Sequence, residues 1–207
     1  LVEPLIGGDD STIPAGASRA LRGVLPEATC DDGPIVDEVV VVLADGTEVQ
    51  LDPGDPYGQI PTLTDAPCTR QAVEEVVDVE WLPIVVPTPE LGADATVAIR
   101  LAPTGAGTLE VRSVESTVLL ALVDASGARA TSVPIGVTVT PDGGAQTIGF
   151  AVRPGRCDAH AIAEDKQGTI FVLQIVLDGE ERTLQLPSDD ATRAALLGYV
   201  ADSCGLG

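Results

Sequence analysis

An all-β chain of two tandem β-sandwich domains is what three observations predict. Runs of β-branched and apolar residues alternate with clusters of Gly, Pro and Asp, at the spacing of sandwich strands and their turns. The stretch from Pro14 to Cys68 returns in altered form as Pro141 to Cys204, and the four cysteines divide equally between the two stretches. In both, a Pro-x-Gly turn (Pro14 and Gly16, Pro141 and Gly143) stands sixteen residues before the first cysteine, Cys30 or Cys157. An Asp-Gly hairpin signal follows: Asp45-Gly46 leads into Val49-Gln50-Leu51, and Asp178-Gly179 leads into Leu184-Gln185-Leu186. A second cysteine then closes each unit. A repeat period this long favours two domains over a solenoid. The division expected is a first unit over 1–72 and a second domain over 73–207, with the boundary near Thr69–Glu75 and no flexible linker.

In chain order, strands are expected at Arg19–Leu25, Val36–Ala44, Thr47–Leu51, Val73–Leu82, Ala95–Ala102, Leu109–Val111, Thr117–Asp124, Val133–Thr140, Gln146–Val152, Thr169–Leu177 and Glu181–Leu186. Val39 to Leu43 is continuously apolar and reads as a central strand, whereas Val-Thr-Val-Thr at 137–140 alternates and should keep one face wet. Two short helices interrupt the pattern in the second copy. Ser188 reads as the N-cap of Ala191–Ala201, which places Leu196, Leu197 and Val200 on one side; Asp158 caps a second helix that Gly168 ends. In the first copy, Tyr57-Gly58-Gln59-Ile60-Pro61 stands where the closing helix would be, and its glycine and proline content predicts a loop. Long strand-like sequence precedes Pro141 but only thirteen residues precede Pro14, so the first unit is expected to be incomplete at its N-terminus.

The hydrophobic content, 44%, is enough for one or two ordinary cores, but aromatic residues are only 2%, so Val, Leu, Ile and Ala must fill them. Pairing Cys30 with Cys68 and Cys157 with Cys204 would let each unit fold autonomously, although four cysteines allow three connectivities. Bridges over loops of this length are worth roughly 3–4 kcal/mol each in the chain-entropy model and persist in oxidising compartments, so export from the cytoplasm is expected. The chain has no methionine, as expected once an export signal has been removed, and no apolar run long enough to span a membrane. A lipid anchor upstream of Leu1 stays open as a means of tethering. The net charge of −21 leans forward: residues 1–78 carry sixteen acids against three arginines, residues 79–207 sixteen against eight basic residues. With one lysine and scattered arginines, nucleic acid is excluded as a partner.

Few positions could carry chemistry. The densest polar cluster is Cys157-Asp158-Ala159-His160-Ala161-Ile162-Ala163-Glu164-Asp165-Lys166. On a helix His160 and Glu164 are one turn apart, which allows a hydrogen-bonded pair or two metal ligands. The plainer reading has Asp158 capping a turn, His160 hydrogen-bonded locally and Cys157 locked in its bridge. Gly7-Gly8-Asp9-Asp10, Asp31-Asp32-Gly33 and Asp52-Pro53-Gly54-Asp55 have the composition of calcium loops without EF-hand spacing, and Asp and Gly are what solvated turns prefer anyway. Nucleophile and phosphate-loop signatures are missing, and nothing selects Ser113 or Ser116 as a partner for His160. Neither an enzyme nor a cofactor is expected.

Arg156-Cys157-Asp158-Ala159-His160, followed by Glu164-Asp165-Lys166 and Gly168-Thr169, resembles a group of uncharacterised exported actinobacterial proteins. The likeness covers mainly residues 130–204, and the Ala, Val, Gly, Asp and Arg bias without asparagine agrees with a high-GC source. The resemblance implies a cell-envelope location and immunoglobulin-like architecture, and no substrate. Ile13-Pro14-Ala15-Gly16-Ala17-Ser18 is similar to the turn that opens bacterial surface modules of that architecture. The first copy departs at the motif, having Thr29-Cys30-Asp31-Asp32-Gly33 with no histidine.

The expectation is therefore two tandem immunoglobulin-like β-sandwich domains, the first N-terminally incomplete and the second with short helices. They would form a secreted or envelope-tethered binding or structural module. Its partner would be a protein or cell-envelope component, or a second copy meeting the first domain. The alternative is an extracytoplasmic metal-binding protein using His160 and Glu164 with carboxylates from neighbouring loops.

Overall fold

Strands form where the β-branched runs place them. The computed structural model describes residues 12–18, 30, 39–52, 54–86, 93–163 and 167–206. The chain divides into two units, Leu1–Cys68 and Thr69–Gly207.

In the first unit, β1 (Val39–Val42) and β2 (Glu48–Leu51) form an antiparallel hairpin in which Val39 faces Leu51 and Val42 faces Glu48. Its turn is closed by Leu43 N–H to Thr47 O (2.8 Å) and Gly46 N–H to Leu43 O (2.9 Å), with Gly46 at φ 81°. That left-handed position is why glycine follows Asp45. Helix α1 (Gln59–Val76) begins in this unit and continues into the second. Pro14 to Ala17 forms the expected turn, Ala17 N–H bonding Pro14 O at 2.9 Å. The strand expected at Arg19–Leu25 and the opening of the one at Val36–Ala44 lie outside the described residues.

The second unit holds β3 (Val77–Val85), β4 (Ala95–Pro103), β5 (Leu109–Glu115), β6 (Leu120–Val123), β7 (Arg129–Ala130), β8 (Ser132–Val139), β9 (Gln146–Pro154), α2 (Ala159–Ala163), β10 (Ile170–Leu177), β11 (Glu180–Pro187) and α3 (Asp190–Ser203). They make a five-stranded sheet of order β3-β4-β9-β6-β7 and a four-stranded sheet of order β11-β10-β5-β8, all pairs antiparallel. Alternation sends Val97, Ile99 and Leu101 of β4 and Ile148, Phe150 and Val152 of β9 inward from one sheet, and Phe171, Leu173 and Ile175 of β10 inward from the other. All belong to one core. Phe171 ties the sheets together, its ring centroid 5.3 Å from Phe150 and 5.6 Å from Trp81. Each such side chain, fully buried, contributes about 1.5–3 kcal/mol. Trp81 is half-buried against this core and donates Nε1–H to Pro187 O at 3.1 Å. In β8, Val139 is buried while Thr138 is exposed, as the 137–140 alternation required.

The β10–β11 turn consists of Asp178 (φ 48°) and Gly179 (φ 90°), both left-handed, as a two-residue hairpin of this twist demands. Asp178 also clamps β5, accepting Thr108 N–H on Oδ1 (2.7 Å) and donating its own N–H to Thr108 O (2.9 Å).

Several expectations need correction. The segment following Tyr57 is helix, not loop. Asp55 Oδ1 accepts Gln59 N–H at 2.7 Å, and Pro61 falls in the first turn, where a backbone N–H has no intrahelical acceptor to lose. Pro67 lies in the interior of α1, at the residue before Cys68, and α1 runs through it. The expected strand Val73–Leu82 begins at Val77, because Val73, Val76 and Val77 fit a helical repeat as well as an extended one. Val73 and Val76 are buried from α1. Val39 to Leu43 is not a central strand: among the described residues β1 pairs only with β2, and Val40, Val42 and Leu43 are exposed. The helix expected from Asp158 is present over Ala159–Ala163, with residues 164–166 outside the described residues, and α3 is capped by Asp189, whose side chain accepts Thr192 N–H at 2.7 Å, not by Ser188.

Candidate functional site

The cysteines pair within each half, Cys30 with Cys68 and Cys157 with Cys204, and each bridge spans 5.3 Å between Cα atoms. In both closed segments an Asp-Gly hairpin is followed by a helix that carries or ends at the second cysteine, while in the second segment α2 stands before the hairpin. Cys68 lies inside α1, and Cys204 is the C-cap of α3.

Around Cys157 the chain leaves β9 through Gly155, whose N–H bonds Leu119 O at 2.8 Å; a Cβ there would lie only 3.2 Å from that oxygen. Asp158 then caps α2, accepting His160 N–H on Oδ1 (3.0 Å) and Ile162 N–H on its carbonyl (3.0 Å). This holds the His160 side chain at an exposed position on a short helix. Glu164, its expected partner, lies outside the described residues, as do Asp165 and Lys166. Among the described residues no group of three His, Cys, Asp or Glu side chains is placed to hold a metal ion. Ser113 sits on β5, and Ser116 just beyond it bonds Thr131 O through its N–H at 2.8 Å.

Asp45, Asp52 and Asp124 are each occupied by their own turns. Asp52 Oδ1 accepts Gly54 N–H at 2.8 Å, Asp45 Oδ1 accepts Thr47 N–H at 2.9 Å, and Asp124 Oδ1 accepts Ser126 N–H, Ser126 Oγ–H and Ala128 N–H at 2.8, 2.6 and 3.0 Å. Hydrogen bonds to the ionised form hold Asp45 below the usual carboxylate range, chiefly from Thr47, and Asp124 likewise, chiefly from Ser126. This is turn chemistry, not a cation cage. The expected loops at 7–10 and 31–33 lie outside the described residues.

One polar assembly has no sequence signature. On α3, Leu196, Tyr199 and Val200 enter the core, and the Tyr199 hydroxyl donates toward Ala93 O (2.7 Å) and Val152 O (3.1 Å). Burial pushes that phenol above its ordinary value, outweighing hydrogen bonds from Ala95 and Ser203 that act the other way. Beside it Arg153 grips Asp94 through two bonds, Nε to Oδ1 (2.8 Å) and Nη2 to Oδ2 (2.9 Å), and also donates to Gly127 O (3.1 Å). Fifty-nine residues separate the pair, so sequence gives no means of matching them.

The surfaces differ in kind. The outer face of the four-stranded sheet is polar: Arg112 pairs with Glu110 and Glu181, while Gln174 links Glu115 (2.7 Å) to Thr183 (3.2 Å). In the first unit Val40, Val42, Leu43, Val49, Leu51 and Tyr57 are all exposed, Val42 at 64% and Tyr57 at 85%. Single exposed apolar residues need no explanation, but a hairpin that shows them on both faces does. No family model matches the chain, and no curated protein matches it.

Proposed function

We propose that this chain is a non-catalytic binding or structural module of an oxidising, extracytoplasmic compartment, and that it makes contact through strand surfaces rather than a cleft. The observation that carries this reading is the apolar β1–β2 hairpin, exposed on a unit held by its own disulfide. A two-stranded hairpin is marginal by itself, and an exposed apolar one gains most when it is covered. The paired cysteines support export, since bridges of this kind are rare in reducing cytoplasm.

Two finer elements belong to the same reading. The second unit is immunoglobulin-like: β3-β4-β9-β6 and β11-β10-β5-β8 match the spatial orders A-B-E-D and G-F-C-C′ of that sandwich, although the strand beside β5 is reached only after the one beside β9, and the disulfide does not join the two sheets' central strands. The two cysteine-closed segments are related by duplication. The shared order of hairpin, helix and second cysteine supports this.

The test is photo-crosslinking in intact cells of the source organism, with a photoreactive residue at Val42 or, as control, at Thr96 on the five-stranded sheet. Adducts at position 42 alone, on protein recovered from the envelope or medium with both bridges oxidised, are expected. Adducts at neither position, or reduced protein in the cytoplasm, would overturn the reading.

A further inference from the structure

Strands that end a sheet invite another strand unless something obstructs them. In the second unit every sheet edge among the described residues is obstructed. Strand β3 carries Pro83 and a register shift between Leu82 and Val85. Pro134 and Gly136, the latter at φ 69°, lie on β8 opposite a register shift between Val111 and Ser113. In β11, Glu180, Glu181 and Arg182 stand at the start and Pro187 at the end, and β7 has only two residues. Of these devices the hairpin of the first unit has only short strands and one charge at the start of β2, Glu48. β1 reads Val-Val-Val-Val and β2 reads Glu-Val-Gln-Leu, in unbroken register with no proline, glycine or bulge.

Which backbone groups face outward follows from the turn. Leu43 N–H bonds Thr47 O, so antiparallel alternation makes Val41 with Val49 and Val39 with Leu51 the mutually bonded pairs. The N–H and C=O groups of Val40 and Val42 on one edge, and of Glu48 and Gln50 on the other, then point away from the hairpin. Charge selects the partner. A second copy would bring another −21 to a region already holding sixteen acids against three arginines over residues 1–78, whereas a basic segment is drawn in.

We propose that the β1–β2 hairpin accepts, as a third strand, an extended segment of a basic partner polypeptide in which Lys or Arg alternates with apolar residues. Backbone hydrogen bonds give the affinity, as in other strand-addition complexes. The apolar side chains of the segment cover exposed valines and leucines, and its cations offset the acidic surroundings. This rests on the binding-module reading above and narrows it to one partner class and one mode.

The experiment titrates the whole chain with a soluble peptide of alternating Lys and Val, against a control with Glu in place of every Lys. Binding of the Lys peptide alone is expected, weakening by about tenfold or more between low and high salt as screening sets in. Val40→Pro and Gln50→Pro each remove one outward N–H while leaving the hairpin's own bonds in place, and amide exchange at Val41 and Val49 verifies that each variant is folded. One of the two, on the edge in use, should lose about tenfold or more in affinity. Equal binding of the Glu peptide, or no loss in either proline variant, overturns the proposal. So does a free protein that is already a dimer with the outward amides protected, which would make a second copy the occupant. Crosslinks at Val42 in cells without peptide binding would sink this proposal and leave the broader reading standing.

Discussion

The two cysteine-closed segments share a plan and differ in what stands behind it. Between Cys157 and Cys204, β10 and β11 lie in a four-stranded sheet, Phe171, Leu173 and Ile175 enter a core, and α3 adds Leu196 and Val200 at 0% exposure. Between Cys30 and Cys68, β1 and β2 pair only with each other among the described residues, and Val42 and Leu51 face solvent. A hairpin signal sets a turn and a register. Whether its strands become core depends on neighbours that the signal does not specify. The same plan thus yields a buried element in one segment and an exposed apolar one in the other.

Removing the bridges separately gives the largest expected effects. Sequence separations of 38 and 47 residues predict similar losses, about 4 kcal/mol each in the chain-entropy model. Trp81, the only tryptophan, lies in the second unit. Urea unfolding followed by its fluorescence should therefore move for the Cys157→Ser/Cys204→Ser variant and stay in place for Cys30→Ser/Cys68→Ser, whose loss appears instead as faster amide exchange at 39–51. A Trp81 transition that shifts equally in both variants would break the comparison.

Next come side-chain truncations. Leu196→Ala should cost about 2–5 kcal/mol by opening a cavity in a closed core, while Val42→Ala should stay within about 0.5 kcal/mol, as at other exposed positions. A hairpin truncation as costly as the core one would mean that the apolar face is covered within the chain itself. Tyr199→Phe removes the hydroxyl that reaches Ala93 O and Val152 O and should cost about 1–2 kcal/mol. Because burial holds the folded phenol above its unfolded value, Tyr199 contributes stability in full below the unfolded pKa, about 10, and loses it as pH rises through the folded value. The wild type should thus lose stability in alkali along a slope that Tyr199→Phe lacks, measurable by urea unfolding across that range.

The smallest effect concerns the turns. Asp45 in the first unit and Asp124 in the second are both held below the ordinary carboxylate range, so their contribution is present above the unfolded value, about 4, and is lost as pH falls through the folded one. Titration by carbon-detected NMR should show both carboxyls low. An ordinary value for Asp45 alone would mark the first-unit turn as the looser of the two.

Local chemistry was legible without coordinates. Strands at Ala95, Gln146, Thr169 and Glu181, the turns at Asp45-Gly46 and Asp178-Gly179, and the helix bearing Leu196 and Val200 follow from alternation, left-handed glycine and capping, which act within a few residues. Misreadings occurred where one pattern served two structures: Val73 and Val76 fit strand or helix, and Pro61 breaks a helix only beyond its first turn. At the candidate site the sequence placed Asp158 as a cap beside His160, but it could not supply the surroundings that decide what an exposed histidine does. Tyr199, Asp94 and Arg153 were invisible for a related reason: each is ordinary in its own neighbourhood and acquires its role from a residue dozens of positions away.

The amino-acid order by itself determined an acidic, β-rich chain with two hairpins and two pairable cysteine sets, because charge, period-two alternation and turn propensity are properties of short windows. Only the tertiary structure decided which hairpin is buried, which strand edges are obstructed and how α3 is anchored. Burial and strand pairing are contacts between distant segments, and a short window holds no record of them.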